Sequence, residues 1–255
     1  MIEDIRTEQT NGVLMITLAR PGKKNALTNV MYGNLAGLIE SAEHDSNIRV
    51  VVVQGEGDLF CAGNDVGEFS TFASGQETGE QNVHRFLYAL AKSTVPIIAA
   101  VHGKAVGIGT TMLLHCDYVL LSPEAQLITP FVNLALVPEA ASSYLLPLRI
   151  GHVRAFDMFA LGEPIDAQTA VTWGIANKIC TRDQLSDEAL RMAERLAAKP
   201  SGSLRAMKLL MRDTEMLMAK MDSESIKFRE RMISAEAMEA FAAFTEKRKP
   251  DFSKV

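Results

Sequence analysis

Short apolar runs alternate with amphipathic stretches through most of this chain. Residues 50–54 and 95–101 are almost uninterrupted apolar runs, which are typical of strands buried on both faces of a parallel sheet. The stretches between such runs carry apolar positions at helical spacing. This alternation predicts an α/β core. Strands are expected at 2–8, 13–19, 50–54, 95–101, 118–122 and 175–180, and helices at 28–43, 82–92 and 106–114.

After Pro138 the pattern becomes mostly helical, with helices expected at 140–150, 153–161, 166–173, 184–198, 204–213, 219–231 and 235–246. The segment 199–202, Lys-Pro-Ser-Gly, interrupts this pattern and is the best internal boundary. The chain is therefore divided into a core at 1–199 and a helical region at 200–255. The last three helices could form little core alone, so we expect them to pack against other subunits. Their many methionines favour the same interpretation, as core or subunit packing.

Composition narrows the class of protein. The 255 residues are 47% hydrophobic and 22% charged, which fits a globular chain with a sizeable core. A net charge of −5 argues against nonspecific binding to nucleic acid or to an anionic membrane surface. Cys61, Cys116 and Cys180 form neither a disulfide framework nor a zinc pattern, and a reducing compartment fits them best. Because neither a signal peptide nor a membrane span is recognisable, we expect a cytoplasmic protein. The cysteines and histidines show no ligand spacing, so we expect no metal site.

Two small-residue loops, each following an apolar run, carry the clearest chemical signal. One covers 60–65, Phe-Cys-Ala-Gly-Asn-Asp, and the other covers 103–109, Gly-Lys-Ala-Val-Gly-Ile-Gly. The loop 103–109 lacks the spacing of a Walker loop and of a dinucleotide-binding loop. A turn from a strand into a helix leaves backbone N–H groups unpaired, and two such groups aimed at one point make an oxyanion hole. Each loop alone is explained as well by glycines that serve a tight turn.

Taken together, the two loops resemble the crotonase (enoyl-CoA hydratase/isomerase) superfamily. The segments 19–27, 162–174 and 241–252 are similar to further parts of that family, so the resemblance covers essentially the whole chain. It implies a spiral core of ββα units with a helical C-terminal trimerisation region. It also implies a homotrimer or dimer of trimers that acts on acyl-CoA thioesters, with coenzyme A as part of the substrate and no separate cofactor. The enolate intermediate would be held by two backbone N–H groups, by position those of Asn64 and Ile108.

The resemblance also indicates which reaction to expect. Hydratases of this family carry two glutamates that activate water, and their positions here are Thr111 and Phe131. Neither side chain can perform general acid/base work on water. An acid appears instead at Glu139, in a segment (129–144) that is similar to the monofunctional Δ3,Δ2-enoyl-CoA isomerases. The similarity implies that Glu139 is the catalytic base and that the enzyme belongs to fatty acid metabolism and β-oxidation.

A single carboxylate is sufficient for that isomerisation. Moving a double bond from C3–C4 to C2–C3 of an acyl thioester takes one proton from C2 and delivers one to C4. Apolar walls around Glu139 would exclude water and raise the pKa of its carboxyl group. Without the resemblance, an acid at this position is explained as well by the dipole of the following helix.

The predicted substrate pocket consists of side chains near Glu139 along the chain or on the helix at 82–92. Among them, Asn82 is a candidate hydrogen-bond donor to Glu139, although a helix cap explains it as well. The pocket residues are Thr111, Phe131, Leu134, Leu136 and Asn82.

Coenzyme A is expected to contact basic side chains near the N-terminus and one in the tail, although most such side chains are simply solvated. The candidates for its phosphates are Arg20, Lys23, Lys24 and Lys249, and the path of adenine and pantetheine would be lined by Ala62, Gly63, Asp65 and Val66.

Three other classes of function remain open at this point. The first is another crotonase reaction, such as hydration, thioester hydrolysis or decarboxylation. The second is dienoyl-CoA isomerisation, which normally requires a further acid that Thr111 and Phe131 do not supply. The third is a trimer that binds acyl-CoA, a protein or RNA without turnover, and the acidic net charge weighs against RNA.

Overall fold

A six-stranded sheet lies at the centre of the computed structural model, which describes residues 4–65, 67–68 and 82–255. The strands in chain order are β1 (Ile5–Thr10), β2 (Val13–Leu18), β3 (Val50–Gly55), β4 (Ile97–Val101), β5 (Lys104–Val106), β6 (Tyr118–Leu121), β7 (Gln126–Ile128), β8 (Ile165–Asp166) and β9 (Lys178–Ile179). The main sheet has the order β1-β2-β3-β4-β6-β9, antiparallel between β1 and β2 and parallel elsewhere. The α/β prediction is therefore confirmed.

The described helices cover both faces of this sheet and extend through the C-terminal region. In chain order they are α1 (Asn29–His44), α2 (Asn82–Lys92), α3 (Ile108–Thr111), α4 (Ser142–Ile150), α5 (His152–Leu161), α6 (Ala167–Thr172), α7 (Arg182–Ala197), α8 (Ser201–Leu210), α9 (Thr214–Met232) and α10 (Ala235–Thr245). Short 3₁₀ turns occur at Pro21–Lys23, Met112–His115, Val132–Leu134 and Phe252–Lys254. Thr28, the first residue of the helix predicted at 28–43, caps α1 by accepting a hydrogen bond from the Met31 N–H at 3.2 Å.

The central strands bury both faces. Along β3, Val51 and Val53 point into the main core, while Val50 and Val52 point to the opposite side. That opposite side is covered by α7, whose buried residues are mostly alanine and so allow close approach to the sheet. Because both faces are buried, β3 reads as a continuous apolar run rather than an alternating one.

A second sheet of three strands, in the order β5-β7-β8, was not predicted. The segment 103–109 does not turn directly from one strand into a helix, since β5 intervenes and α3 begins only at Ile108. The strands β5 and β7 have three residues each, and β8 has two. Segments this short show no measurable periodicity, so sequence patterns do not reveal them.

The C-terminal helices share the core of the rest of the chain. Leu217 and Met221 on α9 belong to the main core, and α9 packs on α2 and α4. The predicted break at 199–202 coincides with the start of α8 at Ser201, while a separate oligomerisation region remains a prediction. None of the helices in the described ranges is long and apolar enough to cross a membrane.

Candidate active site

The strand β5 brings the two predicted loops into direct contact. Cys61 forms a bridge with Ala105, in which the Cys61 N–H donates to the Lys104 carbonyl at 3.2 Å. The Val106 N–H donates in turn to the Cys61 carbonyl at 2.9 Å. The loop 60–65 is therefore held alongside the start of α3.

Asn64 and Ile108 present the backbone N–H groups that were predicted to form an oxyanion hole. Within the described ranges, neither N–H donates to a protein acceptor. Ile108 is the first residue of α3, where a helix has no internal acceptor for the N–H. Gly107 turns the chain into α3 at a φ of 56°, a conformation that glycine adopts without strain. These two donors are therefore available to a ligand, on loops that touch each other.

A close backbone approach sets the spacing between these loops. A Cβ atom on Gly109 would lie only 2.8 Å from the Cys61 carbonyl oxygen and 2.9 Å from the Cys61 Cβ. Real Cβ atoms essentially never approach other atoms so closely, so residue 109 has no room for a side chain. The glycine at 109 thus lets α3 pack directly on the loop that carries Asn64.

Glu139 lines a cavity of about 300 Å³ together with Asn64. Its Oε1 atom accepts a hydrogen bond of 2.7 Å from the Thr111 hydroxyl. Its Oε2 atom has no donor among the described residues. Part of the residue faces the cavity. Burial of the carboxyl group is the largest effect on the pKa of Glu139 and raises it to about 8. The Thr111 hydrogen bond lowers this pKa, and the charge of Glu224 raises it. Glu139 is therefore a carboxyl group of raised pKa in a cavity that Asn64 also lines.

The backbone that follows Glu139 is strained and is held by residues far away in the chain. Ala140 and Ala141 have φ values of 62° and 54°, in the left-handed region that non-glycine residues seldom occupy. The Glu224 carboxylate on α9 accepts hydrogen bonds from the Ala141 N–H at 2.6 Å and the Ser143 N–H at 2.9 Å, and another from the Ser143 hydroxyl. Such strain persists only where the surroundings enforce it, so α9 fixes the position of Glu139.

His115 holds the same turn from the opposite side. Its Nε2 atom lies 2.7 Å from the Ala140 carbonyl oxygen, which can only accept, so Nε2 carries the proton. Burial, together with the charge of Arg212, lowers the pKa of His115 to about 3, and the ring is therefore neutral. We assign this histidine to the support of the Glu139 turn rather than to proton transfer.

Much of the cavity wall comes from side chains that the sequence did not single out. Tyr32 on α1 donates its hydroxyl proton to the Asn64 Oδ1, and burial raises the pKa of Tyr32. Met232 belongs to the methionine-rich helices that were interpreted only as packing. The described cavity lining comprises Leu27, Asn29, Tyr32, Asn64, Asp65, Glu68, Val83, His84, Leu87, Glu139, Ser225, Phe228, Arg229 and Met232.

The predicted pocket side chains lie in different places. Phe131, Leu134 and Leu136 do not line this cavity within the described ranges; they pack with Phe228 and Met232, which do. These three side chains therefore pack against side chains that line the cavity, and their direct contact with a substrate stays a prediction.

Of the two polar residues predicted for the pocket, Thr111 donates a hydrogen bond to Glu139 and Asn82 does not. The Asn82 N–H donates to the Asn29 Oδ1 at 2.8 Å, and the side-chain amide of Asn82 packs against Gly33. No hydrogen bond joins Asn82 to Glu139 in the described chain, where the donor to Glu139 is Thr111. The hydroxyl of Thr111, expected only to replace a hydratase acid, thus contacts the candidate base.

Two of the residues predicted to contact coenzyme A, Arg20 and Asp65, bind each other in the structure. The Arg20 guanidinium is half-buried and donates to the Asp65 carboxylate at 2.6 Å and to the Ala26 carbonyl at 3.0 Å, so it ties the loop 60–65 to the N-terminal segment. Burial acts to raise the pKa of Asp65, but hydrogen bonds from Arg20 and Gly67 outweigh it and lower that pKa.

The remaining predicted contacts with coenzyme A stay predictions. Lys23, Lys24 and Lys249 are exposed. Ala62 donates its N–H to the Lys24 carbonyl at 3.0 Å, and the Gly63 carbonyl accepts from the Leu27 N–H at 2.8 Å. Val66 lies outside the described residues.

Comparison with known proteins places this chain in a family. Residues 8–254 match the family model described as enoyl-CoA hydratase/isomerase. The chain belongs to the enoyl-CoA hydratase/isomerase family. An enoyl-CoA hydratase/isomerase structure from Pseudoalteromonas atlantica T6c superposes with a TM-score of 0.93 at 41% identity, covering 98% of this chain and 99% of that one. The predicted crotonase fold is thereby confirmed.

Relatives in this enoyl-CoA hydratase/isomerase family have different named activities. The 1,2-epoxyphenylacetyl-CoA isomerase of Escherichia coli (strain K12) is 32% identical over 99% of both chains. The enoyl-CoA delta isomerase 2 of Rattus norvegicus is 32% identical over 94% of this chain and 62% of its own length. Other relatives are named as hydratases. These comparisons establish an acyl-CoA hydratase/isomerase family enzyme, and the choice among reactions depends on the residues of the site.

Proposed function

We propose that this enzyme is a Δ3,Δ2-enoyl-CoA isomerase in which Glu139 alone carries the proton between C2 and C4 of the acyl group. The observation that carries the proposal is the environment of Glu139. Its carboxylate faces the cavity with a pKa raised to about 8, while Thr111 and Phe131 occupy the positions where the resemblance places the hydratase glutamates.

Two other carboxylates line the cavity, but each is engaged in holding the fold. Asp65 is paired with Arg20, and its pKa is lowered. Glu68 accepts a hydrogen bond of 2.6 Å from the Asn29 N–H at the start of α1. A carboxylate of lowered pKa is a weaker base, which supports Glu139 as the proton carrier.

In this mechanism the thioester oxygen accepts hydrogen bonds from the N–H groups of Asn64 and Ile108. The Oε2 atom of Glu139 removes the proton from C2, and the resulting enolate is stabilised by these two donors. The protonated Glu139 then returns the proton to C4. A pKa near 8 suits both steps, because the same group must be a base and then an acid near neutral pH.

The first test is conjugation of a non-conjugated substrate. Purified protein incubated with 3-hexenoyl-CoA should form the 2-enoyl thioester, which is followed by its ultraviolet absorbance. With crotonyl-CoA, loss of that absorbance through hydration should be far slower, because Thr111 and Phe131 supply no acid for water. Fast hydration of crotonyl-CoA, or absence of conjugation with 3-hexenoyl-CoA, would overturn the proposal.

A second candidate reaction is isomerisation of a ring-epoxidised aryl-acetyl-CoA. It is favoured by the relative named 1,2-epoxyphenylacetyl-CoA isomerase, which matches this chain over 99% of both lengths. The same carboxylate and N–H donors would serve it. Chromatographic separation of the products formed from both substrate types, with NMR to locate the double bonds, distinguishes the two reactions and also detects dienoyl isomerisation. Mass spectrometry detects thioester hydrolysis.

The apparent pKa in the pH profile of the reaction should shift in opposite directions in two variants. The base form of Glu139 is required, so kcat/KM should rise with pH through the pKa of about 8. Thr111→Val removes a hydrogen bond that lowers this pKa, and Glu224→Gln removes a charge that raises it. The acid limb of the pH profile should therefore move to higher pH in Thr111→Val and to lower pH in Glu224→Gln. Shifts in the same direction in both variants would contradict the assignment of that limb to Glu139.

We also propose the homotrimer that the family resemblance implies. Several apolar side chains are exposed in the single chain: Leu148 on α4, Val153 and Phe156 on α5, Leu210 at the end of α8, and Met211 directly after it. Exposed apolar side chains of this size favour burial against another subunit.

A further inference from the structure

One part of the cavity wall carries a polar group that the proposed proton transfer does not use. It consists of His84 on α2 and of Ser225 and Arg229 on α9. Ser225 and Arg229 are four residues apart and therefore share one face of the helix. The Ser225 hydroxyl lies 2.6 Å from the His84 Nε2. We call these three residues the distal polar group.

Arg229 has no anionic partner in the described chain. Two other arginines do have acidic partners: Arg20 pairs with Asp65, and Arg231, two residues beyond Arg229, pairs with Glu236. Arg229 lines the cavity without such a bond. An arginine that faces a cavity without an acid is suited to bind a carboxylate or phosphate in a bidentate manner.

The acids near this part of the wall are already occupied. Asp222 accepts a hydrogen bond from the Tyr88 hydroxyl, and Glu68 accepts one from the Asn29 N–H. Burial and then the positive charge of Arg229 lower the pKa of His84, and the negative charge of Asp222 acts in the opposite direction. His84 is thus neutral at pH 7, and Arg229 is the positively charged member of the distal polar group.

His84 and Ser225 can add a hydrogen-bond donor beside this charge. When the His84 Nε2 carries the proton, it donates to the Ser225 oxygen. The hydroxyl hydrogen of Ser225 is then available to an acceptor in the cavity. The cavity lining also includes the apolar side chains of Val83, Leu87 and Phe228, which suit the methylene groups of an acyl chain.

We propose that the distal polar group binds a carboxylate at the far end of the acyl chain, so that the substrates are coenzyme A monothioesters of unsaturated dicarboxylic acids. The direction of the acyl chain rests on the proposed function, which places the thioester at Asn64 and Ile108. Arg229 supplies the charge, and Ser225 supplies a neutral donor.

Binding of unreactive thioesters tests this site without depending on turnover. Calorimetric Kd values are measured for saturated monothioesters of six-, eight- and ten-carbon dicarboxylic acids and for monocarboxylic thioesters of the same lengths. At one or more lengths the dicarboxylic compound should bind about tenfold more tightly, the effect expected for a charge-assisted hydrogen bond. Arg229→Gln should abolish this preference, so that the ratio of the dicarboxylic to the monocarboxylic Kd rises to about one. Arg195→Gln, which removes an exposed arginine from α7 outside the cavity lining, is the matched control and should keep the preference.

Two outcomes overturn the proposal. One is that no dicarboxylic thioester binds more tightly than its monocarboxylic counterpart. The other is that Arg229→Gln weakens free coenzyme A and every thioester equally, which assigns Arg229 to a coenzyme A phosphate. Failure of the isomerase proposal is distinguishable: a wild-type enzyme that binds the dicarboxylic thioester preferentially but does not conjugate its 3-ene form retains the site and loses the reaction.

Discussion

Replacing Glu139 by glutamine should lower kcat/KM for 3-hexenoyl-CoA by about 10³-fold, within the range expected for loss of a general base. Glutamine has the shape of glutamate but cannot take a proton from C2. Its side-chain oxygen can still accept the Thr111 hydrogen bond that the structure gives to Oε1. The variant therefore removes proton transfer while preserving the contact that positions the side chain. The rate of conjugation, followed by absorbance at saturating and low substrate, measures the effect.

Thermal unfolding of the Glu139→Gln variant provides the control. The pKa of Glu139 is raised in the folded chain, so the folded state binds this proton more tightly than the unfolded state does. The free energy of unfolding therefore falls as pH rises from the ordinary carboxyl pKa to about 8. Glutamine does not ionise, so the variant avoids this loss in the free energy of unfolding. The unfolding temperature of Glu139→Gln at pH 8 should therefore equal or exceed that of the wild type. A folded variant with an undiminished rate would exclude Glu139 as the proton carrier.

Local sequence signals were enough to identify the parts of the site that depend on short-range backbone geometry. Glycines at 107 and 109 mark a turn into a helix and a close backbone approach, and both are visible as residue types. Thr28 was recognisable as a helix cap for the same reason, because its side chain acts three residues away. The apolar run of β3 follows from burial on both faces of the sheet.

Long-range contacts could not be predicted in this way. The turn after Glu139 uses left-handed alanines, whose residue type gives no indication of that conformation. Glu224 supports this turn from 83 residues beyond Ala141 along the chain. The cavity wall likewise combines α1, α2 and α9, and their proximity is a property of the packed fold rather than of any segment. Predicted wall residues such as Phe131 pack against side chains of that wall.

Disrupting the contact between the loops 60–65 and 103–109 should also lower kcat strongly. Gly109→Ala would place a Cβ atom 2.8 Å from the Cys61 carbonyl oxygen and 2.9 Å from the Cys61 Cβ. Neither atom is the end of a flexible side chain, so α3 must move away from the loop 60–65. That movement displaces the Ile108 N–H from the Asn64 N–H. Because loss of one oxyanion donor costs about 10²-fold or more in kcat, we expect a decrease of that size for conjugation of 3-hexenoyl-CoA.

The corresponding control is Gly202→Ala on α8, where an added Cβ atom meets nothing within 4 Å. This variant should keep the wild-type kcat and gain up to about 1 kcal/mol in the free energy of unfolding, because alanine favours a helix over glycine. Gly109→Ala should instead lose about 1–3 kcal/mol, the usual cost of overpacking. The decisive comparison is kcat in folded Gly109→Ala at a temperature well below its unfolding transition. A wild-type kcat there would mean that the loops touch only for stability, and it would remove the geometric support for Asn64 and Ile108 as the donors to the thioester oxygen.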